Sequence, residues 1–193
     1  MIAISRRLTR RASWLALGLA SCGGRAGRGA EAATPVRVVP LSQAIVLETA
    51  GPPPHDTVVA FVTGERRVIL LNHGPPESIV FAELEFPAAA FADSGRPVQV
   101  VVKPRPGLYG MDIATSIPLR GDASVAFKYA RYFSAPARAR EVFGADEVFE
   151  RALAVGQVRN DSLLVLLPST RPSSDVLRAE FRTPGRFLVA GAR

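Results

Sequence analysis

From Val36 onward the chain is a series of short apolar runs, each broken by Gly, Pro, Asn or Asp. No other feature limits the fold as much, because a packed helix needs ten or more uninterrupted residues whereas a strand needs about five. The clearest run, Val80-Phe81-Ala82-Glu83-Leu84-Glu85-Phe86, predicts Val80, Ala82, Leu84 and Phe86 on one face and two glutamates on the other. Such a strand has one dry and one wet side. Val98, Val100 and Val102 repeat the pattern against Gln99 and Lys103, as do Val125, Phe127 and Tyr129 against Ser124 and Lys128. Further strands are expected at Val36 to Val39, Ala44 to Glu48, Val58 to Val62, Arg67 to Leu71, Asp112 to Ile117, Leu163 to Leu167, Val176 to Arg182 and Arg186 to Ala190.

Turn chemistry supports the same architecture. Thr183-Pro184-Gly185-Arg186 reads as a type II turn, with Pro presetting φ and Gly accepting a positive one. Arg159-Asn160-Asp161-Ser162 separates an apolar run ending at Val158 from one starting at Leu163. Nine or more short strands without a βαβ rhythm predict an all-β fold, an immunoglobulin-like antiparallel β-sandwich. Pro136 to Phe143 is the one short helix expected, opened by Pro136 and stopped at Gly144. Asp146 to Val155 fits helix by propensity, but Phe149, Leu153 and Val155 also fit a strand, and a strand is the expectation there.

The amino terminus has a different character. A basic stretch, Ser5-Arg6-Arg7-Leu8-Thr9-Arg10-Arg11, precedes an apolar one, Trp14 to Ala20, and a small-residue exit, Ala20-Ser21-Cys22. This is a signal-peptide layout over residues 1–21, and its apolar stretch is far short of the roughly 20 residues that span a bilayer. Leu19-Ala20-Ser21-Cys22 resembles the bacterial lipobox, which implies cleavage before Cys22 and lipidation of its thiol. Cys22 is the only cysteine, so no intramolecular disulfide can form. Ser5-Arg6-Arg7 and Thr9-Arg10-Arg11 resemble a twin-arginine export signal, with an ordinary basic leader as the alternative.

Residues 22–35, rich in Gly and Ala, read as a flexible tether with a root-mean-square reach of roughly 20 Å and about 45 Å at full extension. Residues 36–193 remain as a single domain. Gly23, where an aspartate would mark inner-membrane retention in some bacteria, points to the outer membrane. The expected address is therefore an exported, membrane-anchored protein facing the periplasm or cell surface.

Charge fits that address. The chain has 24 basic and 17 acidic residues, and removal of Arg6, Arg7, Arg10 and Arg11 leaves 20 against 17, or +3. Interspersed charge of that size gives no concentrated basic surface, so a nucleic-acid partner is not expected. Lys103 and Lys128 are the only lysines, and a predominance of Arg reads as genome composition bias.

Four phrases carry a second resemblance: Phe86-Pro87-Ala88-Ala89-Ala90-Phe91, Leu153-Ala154-Val155, Leu166-Leu167-Pro168-Ser169-Thr170 and Pro184-Gly185-Arg186-Phe187-Leu188-Val189-Ala190. Over about residues 66–190 the chain resembles the ZU-type β-sandwich of ankyrins and netrin receptors, with alanine where the Phe-Pro-Ala turn usually has glycine. The resemblance implies a binding or structural module without catalysis, and it transfers no site residues.

The residues themselves supply little chemistry. His55 and Asp56 follow Gly51-Pro52-Pro53-Pro54, and His73 and Glu77 flank Gly74-Pro75-Pro76. If Val58 to Val62 and Arg67 to Leu71 paired around Gly64-Glu65, the two loops would meet and could offer imidazole and carboxylate ligands to a metal. Without an HExxH-type spacing, solvated loop histidines are the simpler reading, and no metal or other cofactor is expected. No G-x-S-x-G elbow, Walker motif or cysteine cluster is present, so no catalytic residue is named.

Tyr109, in Leu108-Tyr109-Gly110-Met111, and Tyr129, Arg131, Tyr132 and Phe133 could line a sugar-stacking surface, although packed aromatics are the ordinary alternative. The expected function is a non-enzymatic, lipid-anchored interaction or structural module of the envelope with an envelope protein as partner. A sugar- or metal-binding lipoprotein is the alternative, and an envelope hydrolase a third.

Overall fold

The computed structural model describes residues 36–193. The expected signal peptide, the tether and Cys22 lie outside the described residues. Among the described residues, no helix is long and apolar enough to cross a membrane.

In chain order the strands are β1 (Arg37–Pro40), β2 (Ile45–Val46), β3 (Glu48–Thr49), β4 (Thr57–Val62), β5 (Arg67–Asn72), β6 (Val80–Phe86), β7 (Pro97–Pro104), β8 (Gly110–Thr115), β9 (Ala123–Lys128) and β10 (Phe133–Ser134). Two helices follow, α1 (Ala137–Phe143) and α2 (Asp146–Arg151), and then β11 (Leu153–Arg159), β12 (Leu163–Leu166), β13 (Ser169–Ser173), β14 (Val176–Phe181) and β15 (Gly185–Gly191). All pairings are antiparallel. The larger sheet runs β1-β12-β11-β15-β8-β7-β4, with β2 added to β15, and the smaller runs β13-β14-β9-β6-β5. A two-stranded ribbon joins β3 to β10. The fold is the expected antiparallel β-sandwich.

Alternation places the core. Val98, Val100 and Val102 of β7 meet Leu84 and Phe86 of β6 and Val125 and Phe127 of β9 in one continuous cluster between the sheets. Phe81, Phe86, Phe127, Phe149 and Phe187 are fully buried, each contributing roughly 1.5–3 kcal/mol. On β6 the sequence rule holds for Ala82, Leu84 and Phe86 but not at the start of the strand. Leu71 pairs with Ala82 and Asn72 with Val80, so Phe81 is the extra residue of a bulge and turns inward in place of Val80.

A second cluster lies apart from this core, built from Val39, Ala44, Ala154, Leu164, Leu166, Leu188, Ala190 and Ala192. Its wall is a ring. β1 pairs with β12, β12 with β11, β11 with β15, and β15 with β2, while β1 and β2 are joined directly by the 3-10 turn Leu41–Gln43. The strand expected over Ala44 to Glu48 is divided at Leu47, which is fully buried and donates its N–H to the Val189 carbonyl.

Three local expectations need correction. The segment from Asp146 is helix before it is strand: Asp146 and Glu147 occupy a first turn, where acidic groups suit the exposed N–H groups, and Phe149 anchors α2 in the core. Asp146 also accepts two 2.9 Å hydrogen bonds from Arg140, tying α2 to α1. Among the described residues there are thus two short α-helices rather than one.

β4 and β5 do not form a hairpin. Thr63 donates its N–H to Arg96 O and accepts an N–H from Arg96 at Oγ1, so the end of β4 is held on the β7 side and the chain crosses to the other sheet. Thr183 to Arg186 also crosses between sheets. Gly185, at φ 154°, already pairs with Ile113 as the first residue of β15, far from the φ near +80° of a type II turn. At the β11–β12 connection, Asn160 and Asp161 take φ of 49° and 52°, and Ser162 N–H bonds to Arg159 O, the geometry of a type I′ turn.

Candidate functional site

The loops carrying the two histidines do touch, although not through a hairpin. Gly74 N–H bonds to Pro52 O, and His73 Nδ1 lies 2.9 Å from the same carbonyl. A carbonyl can only accept, so Nδ1 carries a hydrogen, and the other ring nitrogen is Nε2. That nitrogen is buried and has no hydrogen-bond partner. Aromatic rings enclose it: Tyr132 at 4.7 Å between centroids, Phe81 at 5.2 Å and Tyr109 at 6.2 Å. Tyr132 lies flat over Gly51, where any side chain would strike its ring.

The remaining members of the expected metal set point elsewhere. Glu77 is held by Arg131 through 2.8 and 3.0 Å bonds and by the Tyr132 hydroxyl at 2.9 Å. The Arg131 bond, followed by that from Tyr132, holds its carboxyl below the usual carboxylate range. His55 and Asp56 are exposed. Among the described residues no group of three or more His, Cys, Asp or Glu is placed to hold a metal ion. His73 is bonded to a backbone carbonyl rather than to a serine or carboxylate.

The expected sugar-stacking tyrosines belong to the interior. Tyr109 and Tyr129 are both fully buried, and the Tyr109 hydroxyl donates to Tyr129 O at 3.1 Å. Tyr129 Oη meets Glu150 Oε1 at 3.2 Å, Ser174 O at 3.1 Å and the guanidinium of Arg171, which also reaches Glu150 O. Burial pushes the Tyr129 phenol up to about 12, with the Arg171 charge opposing. Local sequence offers no sign of this cluster, because Arg171 sits in the polar, proline-containing strand Ser169-Thr170-Arg171-Pro172-Ser173.

The clearest unsatisfied surface is a sheet edge. β4 ends the larger sheet, and its sequence Thr57-Val58-Val59-Ala60-Phe61-Val62 has no charge, proline or bulge. Val58 and Val62 are each 58% exposed, with exposed Ala60 between them. On the inward side Phe61 packs against Phe86 and Phe91, and Arg67 lies 5.3 Å from its ring centroid. An uncharged, flat strand with a free row of N–H and C=O groups is a template for another strand.

The other edges are guarded. β13 contains Arg171, Pro172 and a register shift, β1 is four residues long and ends in Pro40, and β5 carries Arg67 and pairs inward with the bulged β6. Val38 and Leu70 are exposed on β1 and β5, beside Pro40 on the one and on the strand that carries Arg67 on the other.

Grooves on the described surface include two away from β4. One, of about 680 Å³, lies where β12 and β13 part and is lined by Arg159, Arg178, Arg182, Leu167 and Phe181. Its cations are already engaged: Arg182 with Asp122 at 2.6 and 3.1 Å, Arg178 with Glu85 and Ser124, and Arg159 with Gln157 Oε1 at 2.7 Å. The other, of about 430 Å³, lies over β7 and β8 beside the Asp112–Arg186–Asp161 ion pairs.

Compared with known proteins, the chain matches no family model, no curated protein and no solved structure. The ZU-type resemblance therefore remains one of short phrases. The class that the fold itself defines is an antiparallel β-sandwich with, among the described residues, one unguarded edge.

Proposed function

We propose that this chain is an exported envelope lipoprotein, anchored through Cys22, whose sandwich is a non-enzymatic protein-interaction module that docks a partner strand on β4. The free, uncharged edge of Thr57–Val62 carries the reading. Main-chain hydrogen bonds along such an edge supply affinity, and alternate side-chain contacts supply selectivity. Placement outside the cell rests on the leader and the Leu19-Ala20-Ser21-Cys22 sequence.

Two experiments test the two halves. Labelled palmitate should enter the wild-type chain and not Cys22→Ser. A wild-type chain that stays unlabelled removes the anchor. Photo-crosslinking from position 60 in intact cells should trap a protein partner, and crosslinking from exposed Ala114 of β8 should not. Equal trapping from both positions removes β4 as the docking edge.

A further inference from the structure

We infer that the strand docking on β4 is β4 of a second copy of this chain, so that two sandwiches share one continuous sheet across a two-fold axis at Ala60. This inference rests on the strand-addition reading above and names its partner.

Directly opposed residues of an antiparallel pair point to the same face, so a register that keeps both cores aligned must pair residues of like orientation. On β4, Val58, Ala60 and Val62 face outward, while Val59 and Phe61 face inward. Centring the axis on Ala60 sets Val58 against Val62 of the second copy and Val59 against its Phe61. From Val58 to Val62 every paired position is then apolar. Sliding by one allowed step toward the amino terminus would instead set the Asp56 carboxylate against Val62.

Nothing on the outward stripe is larger than valine, which leaves room for two backbones to approach at strand spacing. The inward side gains as well, since half-buried Val59 would be covered by the facing Phe61.

Closure favours two copies over many. Pairing removes the one unguarded edge, and the joined sheet then ends on both sides at β1, which Pro40 terminates. Six residues of edge bury less than the roughly 800 Å² per partner of a standard interface, so the dimer is weak in dilute solution and strengthens with concentration.

Disulfide trapping in the full chain with Cys22→Ser, which removes the native thiol, tests this. Ala60→Cys places two thiols across the axis, with Cα atoms about 4.5–5.5 Å apart, within the range a disulfide spans. Under mild oxidation at micromolar concentration, this chain should give about tenfold more product at twice the 20.6 kDa monomer mass than Leu70→Cys on the neighbouring edge. A mixture of Val58→Cys and Val62→Cys chains should crosslink more than either alone, which reports the register.

Equal trapping at positions 60 and 70 overturns the proposal. If position 60 in cells captures only a different protein, the second copy is wrong and strand addition stands. If it captures nothing, both fall together.

Discussion

The two flanks of the sandwich differ in how they treat exposed backbone. On the β12/β13 side, Pro172 and a register shift interrupt the outer strand, while Arg171 reaches inward to Tyr129 and the end of α2. On the β4/β5 side, β4 is regular and uncharged, and Arg67 over Phe61 is the one cation covering the mouth of the core. One flank uses its polar residues to fasten the interior, and the other leaves a strand ready to pair. Stability and the proposed recognition would then belong to opposite sides of the same core, and substitutions should separate them.

The largest expected effect is on the fastened flank. Arg171→Ala leaves the Tyr129 hydroxyl and the carbonyls of Glu150 in α2 and Leu153 in β11 without their charged donor, which should cost about 3 kcal/mol and lower Tm by roughly 6–12 °C. A change under 2 °C in calorimetry would show that Arg171 is not the fastener. On the open flank, Ala60→Lys should shift stability by less than about 0.5 kcal/mol yet weaken partner association about tenfold or more, because a charge in the stripe blocks strand addition. Sedimentation and melting on the same sample separate the two effects.

A smaller effect lies on the outer face of the five-stranded sheet. Glu85 takes bonds from Arg66 and Arg178, with Arg66 the larger influence, and these hold its carboxyl below the ordinary value. That stabilisation is present above the unfolded pKa of about 4.3 and is lost as pH falls through the lower folded value. Glu85→Gln should cost about 1 kcal/mol at pH 7 and flatten the acid limb of a Tm-against-pH curve. An acid limb unchanged from wild type would remove Glu85 from this role. The smallest effect is Pro172→Thr, which leaves Tm near its wild-type value but removes a guard from β13, so light scattering should report slow association. If β13 stays inert, the bulge alone protects it.

How much of this the sequence discloses depends on range. The strand at Val80 to Phe86 and those near Val98 and Val125 are legible because burial of a single face writes an alternation into neighbouring residues. α1 is equally plain, since Pro136 and Gly144, at φ 84°, mark its ends. α2 is obscure because six residues with one buried anchor, Phe149, do not complete a helical period, and the apolar start of β11 follows at once.

Sheet membership is more obscure still. A four-residue link from Val62 to Arg67 looks like a hairpin, and only Thr63's bonds to the distant Arg96 send β4 and β5 to different sheets. His73 lies in a Gly-Pro-Pro context that suggests solvent, and its burial comes from Tyr109 and Tyr132, both far along the chain. The β4 edge was readable as an apolar strand, but not as an end strand, because that status is set by what fails to pair with it.

The ring around the second cluster also has a consequence in time. Val46 meets Ala190, and Val38 meets Val165, so the opening strands of the domain find their neighbours only when the closing strands exist. Pairings spanning well over a hundred residues place such a domain among slow folders, in milliseconds to seconds. A chain emerging from its amino terminus would therefore carry β1 unpaired until β12 is made, and β2 unpaired until the last ten residues arrive. Refolding of a chain ending before Gly185 should leave the small cluster open to a hydrophobic dye, whereas the complete chain should close it in its final kinetic phase.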